Sequence, residues 1–425
     1  MKKLFFKSVV LFIIFCCISS CKVQTGTGYL FKDKTFNFEA KRVLQYAVDR
    51  SAEINEVLQT VSRIKEKDTE SWYNEWLKTA NKIDSLATFG LYDSLYKANL
   101  FARAHTYYRT AEFFLLANDK RKIEVYNKSI TTFYKSLDLE NVDYIKMQIP
   151  YKESFLSGVF FQGNEKAKDN PLIVIVNGYD SYKEETYFLL AEEAINKGYA
   201  VLIYDGPGQG ESIRKNNLLM THEWEKPNSA VLDFFIENQY IPDDIILFGY
   251  SLGGILVTRA SAFDKRITGI VNFDIFYDFA DAALYESPDN FKSAIINKEK
   301  ISGTTKFVMK KMLKYNPHFR WAMTQGEFVF GLNSQKPWEI LQEYTKYTIK
   351  DISENVTCKV LLMAGEEDHF VPVSFLELNR QALRNAQNIT TISYSEETGG
   401  QEHCQVGAIL NWRADFFKWL EVNFE

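Results

Sequence analysis

The segment Gly249-Tyr250-Ser251-Leu252-Gly253 constrains this chain more than any other stretch of it. It follows the apolar run 245–248 without a spacer and leads straight into Ile255-Leu256-Val257, the start of a helix-like stretch. A strand that turns at once into a helix bends so sharply that the residues two before and two after its apex have to be small. Glycine stands at both positions. Such a turn leaves the apex hydroxyl, Ser251 Oγ, exposed above the edge of a sheet. The rest of that sheet is legible nearby. Residues 172–176, 200–204, 245–248, 267–273, 360–363 and 389–394 are short apolar runs, closed by turn residues and separated by helix-length segments. Runs of this kind imply a mostly parallel sheet with helices on both faces, an α/β fold.

The chain upstream has another periodicity. From residue 36 to about 139 there is one glycine, Gly90, and no proline. Apolar residues recur at three- and four-residue steps, as in Val43, Tyr46, Ala47, Ile54, Val57, Leu58 and Val61, and again in Trp72, Trp76, Leu77, Ala80 and Ile83. This spacing predicts an all-α block of four or five amphipathic helices. Between 276 and 350 the strand signal lapses into helix-like, aromatic-bearing sequence, which reads as an insertion above the sheet. The expected organisation is a leader over 1–21, a helical domain over 22–140 and an α/β domain over 141–425 with an insertion at about 276–350.

In the leader, Lys2, Lys3 and Lys7 precede and flank an apolar stretch, 8–18. That is secretory-signal architecture, and it is too short to span a membrane comfortably. The stretch ends in Ile18-Ser19-Ser20-Cys21, which resembles the lipobox of bacterial lipoproteins, where the cysteine thiol takes the lipid. The expectation is an exported protein of the bacterial cell envelope, lipid-anchored to a membrane through Cys21. A hydrophobic share of 46% with 25% charged residues excludes disorder as the main state. Fifty Lys plus Arg against 55 Asp plus Glu leave no basic footprint for nucleic acid.

A serine hydroxyl becomes a nucleophile when a base takes its proton and a carboxylate orients that base. Of the five histidines, His105, His222, His318, His369 and His403, only the last two follow a candidate acid. His403 lies on the loop 399–403, after the last strand run and before the final helix, at the sheet edge where Ser251 stands. His369 adjoins the acids and reads as structural. The acids Glu366, Glu367 and Asp368 follow the strand run 360–363. An oxyanion needs two backbone N–H donors. Leu252 supplies one at the helix N-terminus. The other belongs to the loop Asn177-Gly178-Tyr179-Asp180, with Tyr179 first and Gly178 second. Asp205 reads as pinning its own turn. No metal-ligand spacing or phosphate-binding loop is present, and Gly206-Pro207-Gly208-Gln209-Gly210 lacks the second half of a dinucleotide fingerprint. Neither a metal nor another cofactor is expected. Beyond the leader only Cys358 and Cys404 remain. They sit at opposite ends of strands, about 15–20 Å apart, which is too far for a disulfide, so both thiols should be free. Cys404 should be close enough to His403 for bulky alkylation to block the site.

From about residue 142 onward the chain resembles an α/β-hydrolase. Asp205-Gly206-Pro207-Gly208-Gln209-Gly210-Glu211, Lys183-Glu184-Glu185 and Glu402-His403-Cys404-Gln405 resemble the dihydroxypseudooxynicotine hydrolase group and the fungal polyketide-shortening hydrolases. The resemblance favours Asp368 as the acid, three residues before Val371-Pro372, over Glu366 and Glu367. It also implies that the helical domain packs over the site. The group uses a serine-acid-histidine triad on a carbon–carbon bond next to a ketone, and close relatives act as esterases. An acid beyond the nucleophile that some relatives use would be sought among Asp278, Asp281 and Glu286. The expected function is therefore a serine hydrolase (Ser251, Asp368, His403) acting on a small-molecule ester or ketone. The alternatives are a carboxylesterase or peptidase of broad specificity, or a non-catalytic lipoprotein binding module on the same fold. No nucleic-acid partner is expected, and a second copy of the chain is a candidate partner.

Overall fold

The computed structural model describes residues 30–238, 243–299 and 301–424. Its centre is an eight-stranded sheet in the order β1-β2-β4-β3-β5-β6-β7-β8. The strands are β1 (Ile145–Tyr151), β2 (Ser154–Phe161), β3 (Leu172–Val176), β4 (Val201–Asp205), β5 (Ile245–Tyr250), β6 (Gly269–Phe273), β7 (Lys359–Gly365) and β8 (Asn388–Tyr394). β1 and β2 form an antiparallel hairpin, β2 runs antiparallel to β4, and every pair from β4 to β8 is parallel. Successive side chains of a strand point to opposite faces. Ile173, Ile175, Phe248, Val271 and Phe273 thus pack on one side with Trp412 and Phe416 of the C-terminal helix. Val174, Val176, Leu247, Ile270 and Leu362 pack on the other.

The hairpin β1–β2 is absent from the sequence reading. Lys146, Gln148 and Pro150 point outward while Met147, Ile149 and Tyr151 are buried. That alternation marks a one-sided edge strand, where a proline is tolerated, and it produces no continuous apolar run.

Among the described residues, five α-helices lie upstream: α1 (Lys34–Leu44), α2 (Ile54–Val61), α3 (Thr69–Phe89), α4 (Ser94–Glu112) and α5 (Lys120–Glu140). Four of them begin at an aspartate, Asp33, Asp68, Asp93 and Asp119, whose carboxylate accepts first-turn N–H groups. This capping satisfies donors that no helical carbonyl can reach. The block does not keep a core of its own: Phe36, Trp72, Tyr107 and Phe133 belong to the same apolar cluster as Ile175, Phe188 and Phe248. Between β6 and β7 the chain leaves the sheet through helices Phe279–Ala283, Asp289–Ile296, Gly303–Tyr315, Pro317–Phe330 and Pro337–Tyr344. Trp321 from this excursion stacks on Phe113 of the helical block, ring centroids 5.2 Å apart, so the two meet over the sheet edge.

Candidate active site

The strand-to-helix turn is as sharp as its glycines imply. β5 ends at Tyr250, the next helix starts at Gly253, and Ser251 between them has φ 57°. A serine in the left-handed region is strained, and the surroundings hold it there. Its N–H donates to the Phe273 carbonyl at 2.5 Å. A Cβ on Gly253 would lie 2.5 Å from the Val176 carbonyl oxygen, and one on Gly249 would strike Gly253.

Ser251 Oγ lies 2.8 Å from His403 Nε2. On the other side of the ring, His403 Nδ1 lies 2.6 Å from Asp368 Oδ2. Asp368 Oδ1 accepts the N–H groups of Phe370 (2.6 Å) and Val371 (2.9 Å), which fixes the carboxylate. Glu366 and Glu367 are exposed, and Glu366 accepts from Ser393 Oγ at 3.0 Å. Burial, the largest influence, works against a charged His403, but Asp368 together with Cys404 and Asp274 outweighs it and holds the imidazole well above its ordinary value. A hydroxyl, an imidazole and a carboxylate in this order can pass a proton from the serine to the ring. The His369 ring lies tilted against Phe370, centroids 4.0 Å apart, and burial drives its pKa down to about 3.

A second acid was not foreseen. Asp274, the residue after β6, is fully buried with its Oδ2 3.5 Å from His403 Nδ1. Its Oδ1 accepts the Ile275 N–H at 2.6 Å. Burial first, and then the Asp368 charge, raise it to about 7. The three acids sought farther along lie elsewhere: Asp278 caps the helix Phe279–Ala283, Asp281 pairs with Lys350, and Glu286 is exposed. The available signal was position, since Asp274 follows its strand as closely as any residue can, at the carboxyl edge where ligands bind.

Gly178 packs against the turn, and a Cβ on it would come within 2.9 Å of Ser251 Cβ. Its N–H is occupied, donating to Ser181 Oγ at 3.1 Å. Among the described residues, no hydrogen bond engages the N–H of Leu252 or of Tyr179, which leaves these two free to meet an oxyanion. The Tyr179 hydroxyl sits 2.8 Å from that of Tyr344, and its carbonyl accepts from Gln325 Nε2 at 2.8 Å. Asp205 receives the Lys183 N–H and ammonium and the Glu211 N–H, as a turn-pinning residue should. Three rings wall the imidazole: Phe370 at 4.9 Å, Phe38 of α1 at 6.0 Å and Phe276 at 6.1 Å.

Cys358 and Cys404 are both free and buried. Cys404 lies beside the imidazole as expected, its ligand atom within 4.8 Å of His403's, but it is 4% exposed and burial pushes its thiol up to about 11, both of which slow alkylation there. Asp274, His403 and Cys404 offer ligand atoms within 4.8 Å of one another. A thiol held protonated and an imidazole already engaged at both nitrogens fit a metal ion poorly.

Residues 171–396 match the model of the alpha/beta hydrolase fold family, more than half of the chain. The chain belongs to this family. Like this α/β-hydrolase in sequence are hydrolase LUC6 of a Fusarium species, 31% identical over 93% of the chain and 98% of its own length, and hydrolase acrC of Aspergillus aculeatus, 29% identical over 92% and 96%. The 20-hydroxy-prefusarin hydrolase FUS2 of Gibberella moniliformis is 29% identical over 93% and 98%. In fold the α/β-hydrolase resembles 2,6-dihydroxy-pseudo-oxynicotine hydrolase, with a TM-score of 0.67 at 18% identity over 89% of this chain and 95% of that one. The α/β-hydrolase is thus a hydrolase with a helical N-terminal region, as its motifs imply. These relatives also correct one expectation. They are fungal hydrolases aligned over nearly the whole chain, which removes the basis for a bacterial lipoprotein lipid-anchored to the cell envelope. Among the described residues no helix is long and apolar enough to cross a membrane, and Cys21 with the stretch 8–18 lies outside them.

Proposed function

We propose that this α/β-hydrolase is a serine hydrolase of small-molecule esters or of carbon–carbon bonds next to a ketone. The observation that carries the reading is the unbroken chain from Ser251 Oγ through His403 to Asp368, at 2.8 and 2.6 Å. Ser251 attacks the carbonyl carbon while His403 Nε2 takes its proton, and Asp368 stabilises the imidazolium. The N–H groups of Leu252 and Tyr179 hold the oxyanion. Collapse of the tetrahedral adduct expels an alkoxide from an ester, or a carbanion from a ketone-flanked C–C bond. His403 returns its proton to that leaving group, and water then releases the acyl group by the same route. Asp274 supports the ring from the β6 side. The aromatic wall of Phe38, Phe276 and Phe370 supports an apolar acyl portion and excludes water from the imidazole.

A fluorophosphonate probe tests this. It should tag Ser251 in the wild-type protein and leave Ser251→Ala untouched. Turnover of that variant should fall to the roughly 10³–10⁴-fold acceleration over water that binding and the oxyanion site alone provide. Wild-type turnover in Ser251→Ala would refute the mechanism, and an untagged, inactive wild type would favour a binding module. A panel of short acyl esters against acyl-ketones then separates the two leaving groups.

A further inference from the structure

We propose that Arg42 is a positioning residue for the oxyanion loop, so that the N-terminal helical block takes part in catalysis as well as covering the site. The inference rests on the serine-hydrolase reading above and adds to it a residue on the other side of the fold.

α1 touches both loops that serve Ser251. Toward the histidine loop, Lys41 Nζ pairs with Glu402 Oε1 at 2.6 Å, one residue before His403. Gln45 Oε1 accepts the Gly407 N–H at 3.1 Å. Toward the oxyanion loop it presents Arg42, whose side chain is 3% exposed. Both Nη1 and Nη2 donate to Asp180 Oδ1 at 3.2 Å. Nε and Nη2 grip the two oxygens of Glu185 at 2.7 and 2.8 Å. Asp180 follows Tyr179 directly, and Glu185 lies in the short helix Lys183–Thr186 that the loop enters. The same guanidinium lies 5.8 Å from the ring centroid of Tyr250, the residue before Ser251. One side chain therefore contacts the flank of the nucleophile and the flank of its partner loop.

The contact is built, not incidental. Arg109 of α4 stands behind it, 3.1 Å from Glu185 Oε2 and 3.3 Å from Glu39 Oε2. Tyr46 OH donates to Glu185 Oε1 at 3.0 Å. Burial opposes ionisation of Glu185, yet Arg109 and Arg42 outweigh it and hold that carboxyl below its usual value. Buried ion pairs roughly break even against apolar packing, so stability alone is a weak reason for such a cluster. What a two-pronged guanidinium–carboxylate contact supplies is fixed distance and angle. An oxyanion donor on a loop needs just that, because a misplacement of about 1 Å can cost about 100-fold. The cluster also has an electrostatic use. Carboxylates beside a nascent oxyanion would oppose it, and the two guanidiniums offset the charges of Asp180 and Glu185, the two that flank the loop.

Removing Arg42 outright would strand buried carboxylates and risk the fold, so the test uses Asp180→Asn, Arg42→Lys and their combination in the full-length protein. The readouts are the melting temperature, kcat and KM on p-nitrophenyl butyrate, and the affinity of an aryl trifluoromethyl ketone. The ketone's serine adduct places its oxyanion between the two N–H donors. Each single variant should lose about 10–100-fold in kcat with KM within twofold, and ketone affinity should fall by the same factor. The double variant should be no worse than the weaker single. Should Arg42→Lys fail to fold, Asp180→Asn, which keeps the side-chain shape, decides alone. A folded Asp180→Asn with wild-type kcat and ketone affinity overturns the proposal, as do additive losses in the double variant or a loss confined to KM. A wild type that takes neither the fluorophosphonate nor the ketone at Ser251 refutes the serine-hydrolase reading itself, and the proposal with it.

Discussion

Two carboxyl groups reach for the same nitrogen of His403, Asp368 from the end of β7 at 2.6 Å and Asp274 from the end of β6 at 3.5 Å. Like charges so close cannot both ionise cheaply out of water. Asp368, where burial is outweighed by His403, is held down to about 2, whereas burial and then Asp368 lift Asp274 to about 7. Asp368 therefore carries the charge, and Asp274 carries a proton up to about neutrality. General-base action needs a neutral imidazole, so kcat/KM should rise with pH through the titration of His403. Because that group is raised, the midpoint should lie above the ordinary value of about 6.5. Asp368→Asn should lower the midpoint and cut turnover about 10⁴-fold. Asp274→Asn should also lower the midpoint, with turnover kept within about tenfold of wild type. An acid limb that Asp274→Asn leaves in place would make Asp274 mere packing. Ser251 and His403 were legible because each stands on a turn after a recognisable apolar run, whereas the run before the third member left Glu366, Glu367 and Asp368 open and only the family resemblance favoured Asp368. The sequence hid Asp274, because an aspartate abutting a strand reads as a turn former until the imidazole is seen between two strand ends.

The turn after β5 shows how an element can be legible to the residue. Its two glycines are required by backbone approaching backbone: a side chain on Gly253 meets the Val176 carbonyl oxygen at 2.5 Å, and no rotamer relieves that. Gly303, at the start of a helix in the insertion, has nothing within 4 Å of the same added atom. Gly253→Ala should therefore cost about 1–3 kcal/mol through forced separation of β3 and β5. Gly303→Ala should stay within about 0.5 kcal/mol of wild type. Parallel melting curves of the two variants check this, and equal melting temperatures would mean that the strand spacing can relax. β3, β4 and β5 were readable for a related reason, since burial along their whole length makes each a nearly continuous apolar run. β1, with one face in water, was lost among loops.

At the scale of the whole molecule, the helical block and the sheet share one apolar core. Phe133 of α5 packs edge-on against Tyr187 at 5.5 Å and Phe188 at 6.0 Å, which in turn cover the sheet. Arg413 of the C-terminal helix pairs with Asp49 at 2.6 Å, just after α1. Helical periodicity announced the helices but could not say what they cover. The decisive contact, Arg42 with Asp180, joins residues 138 positions apart and leaves no local trace in the sequence. The consequence is testable by truncation. A fragment of residues 142–425 would expose the aromatic face of Phe161, Tyr187 and Phe188, and would leave Glu185 without either guanidinium. Apolar surface of that extent drives association, and a buried carboxylate stripped of its partners is destabilising by about 3–5 kcal/mol. The fragment should therefore aggregate on expression and take no fluorophosphonate at Ser251, while the full chain is soluble and tagged. A monodisperse fragment tagged at the wild-type rate would contradict both the shared core and the role given to α1, and would leave the helical block as a module for binding something else.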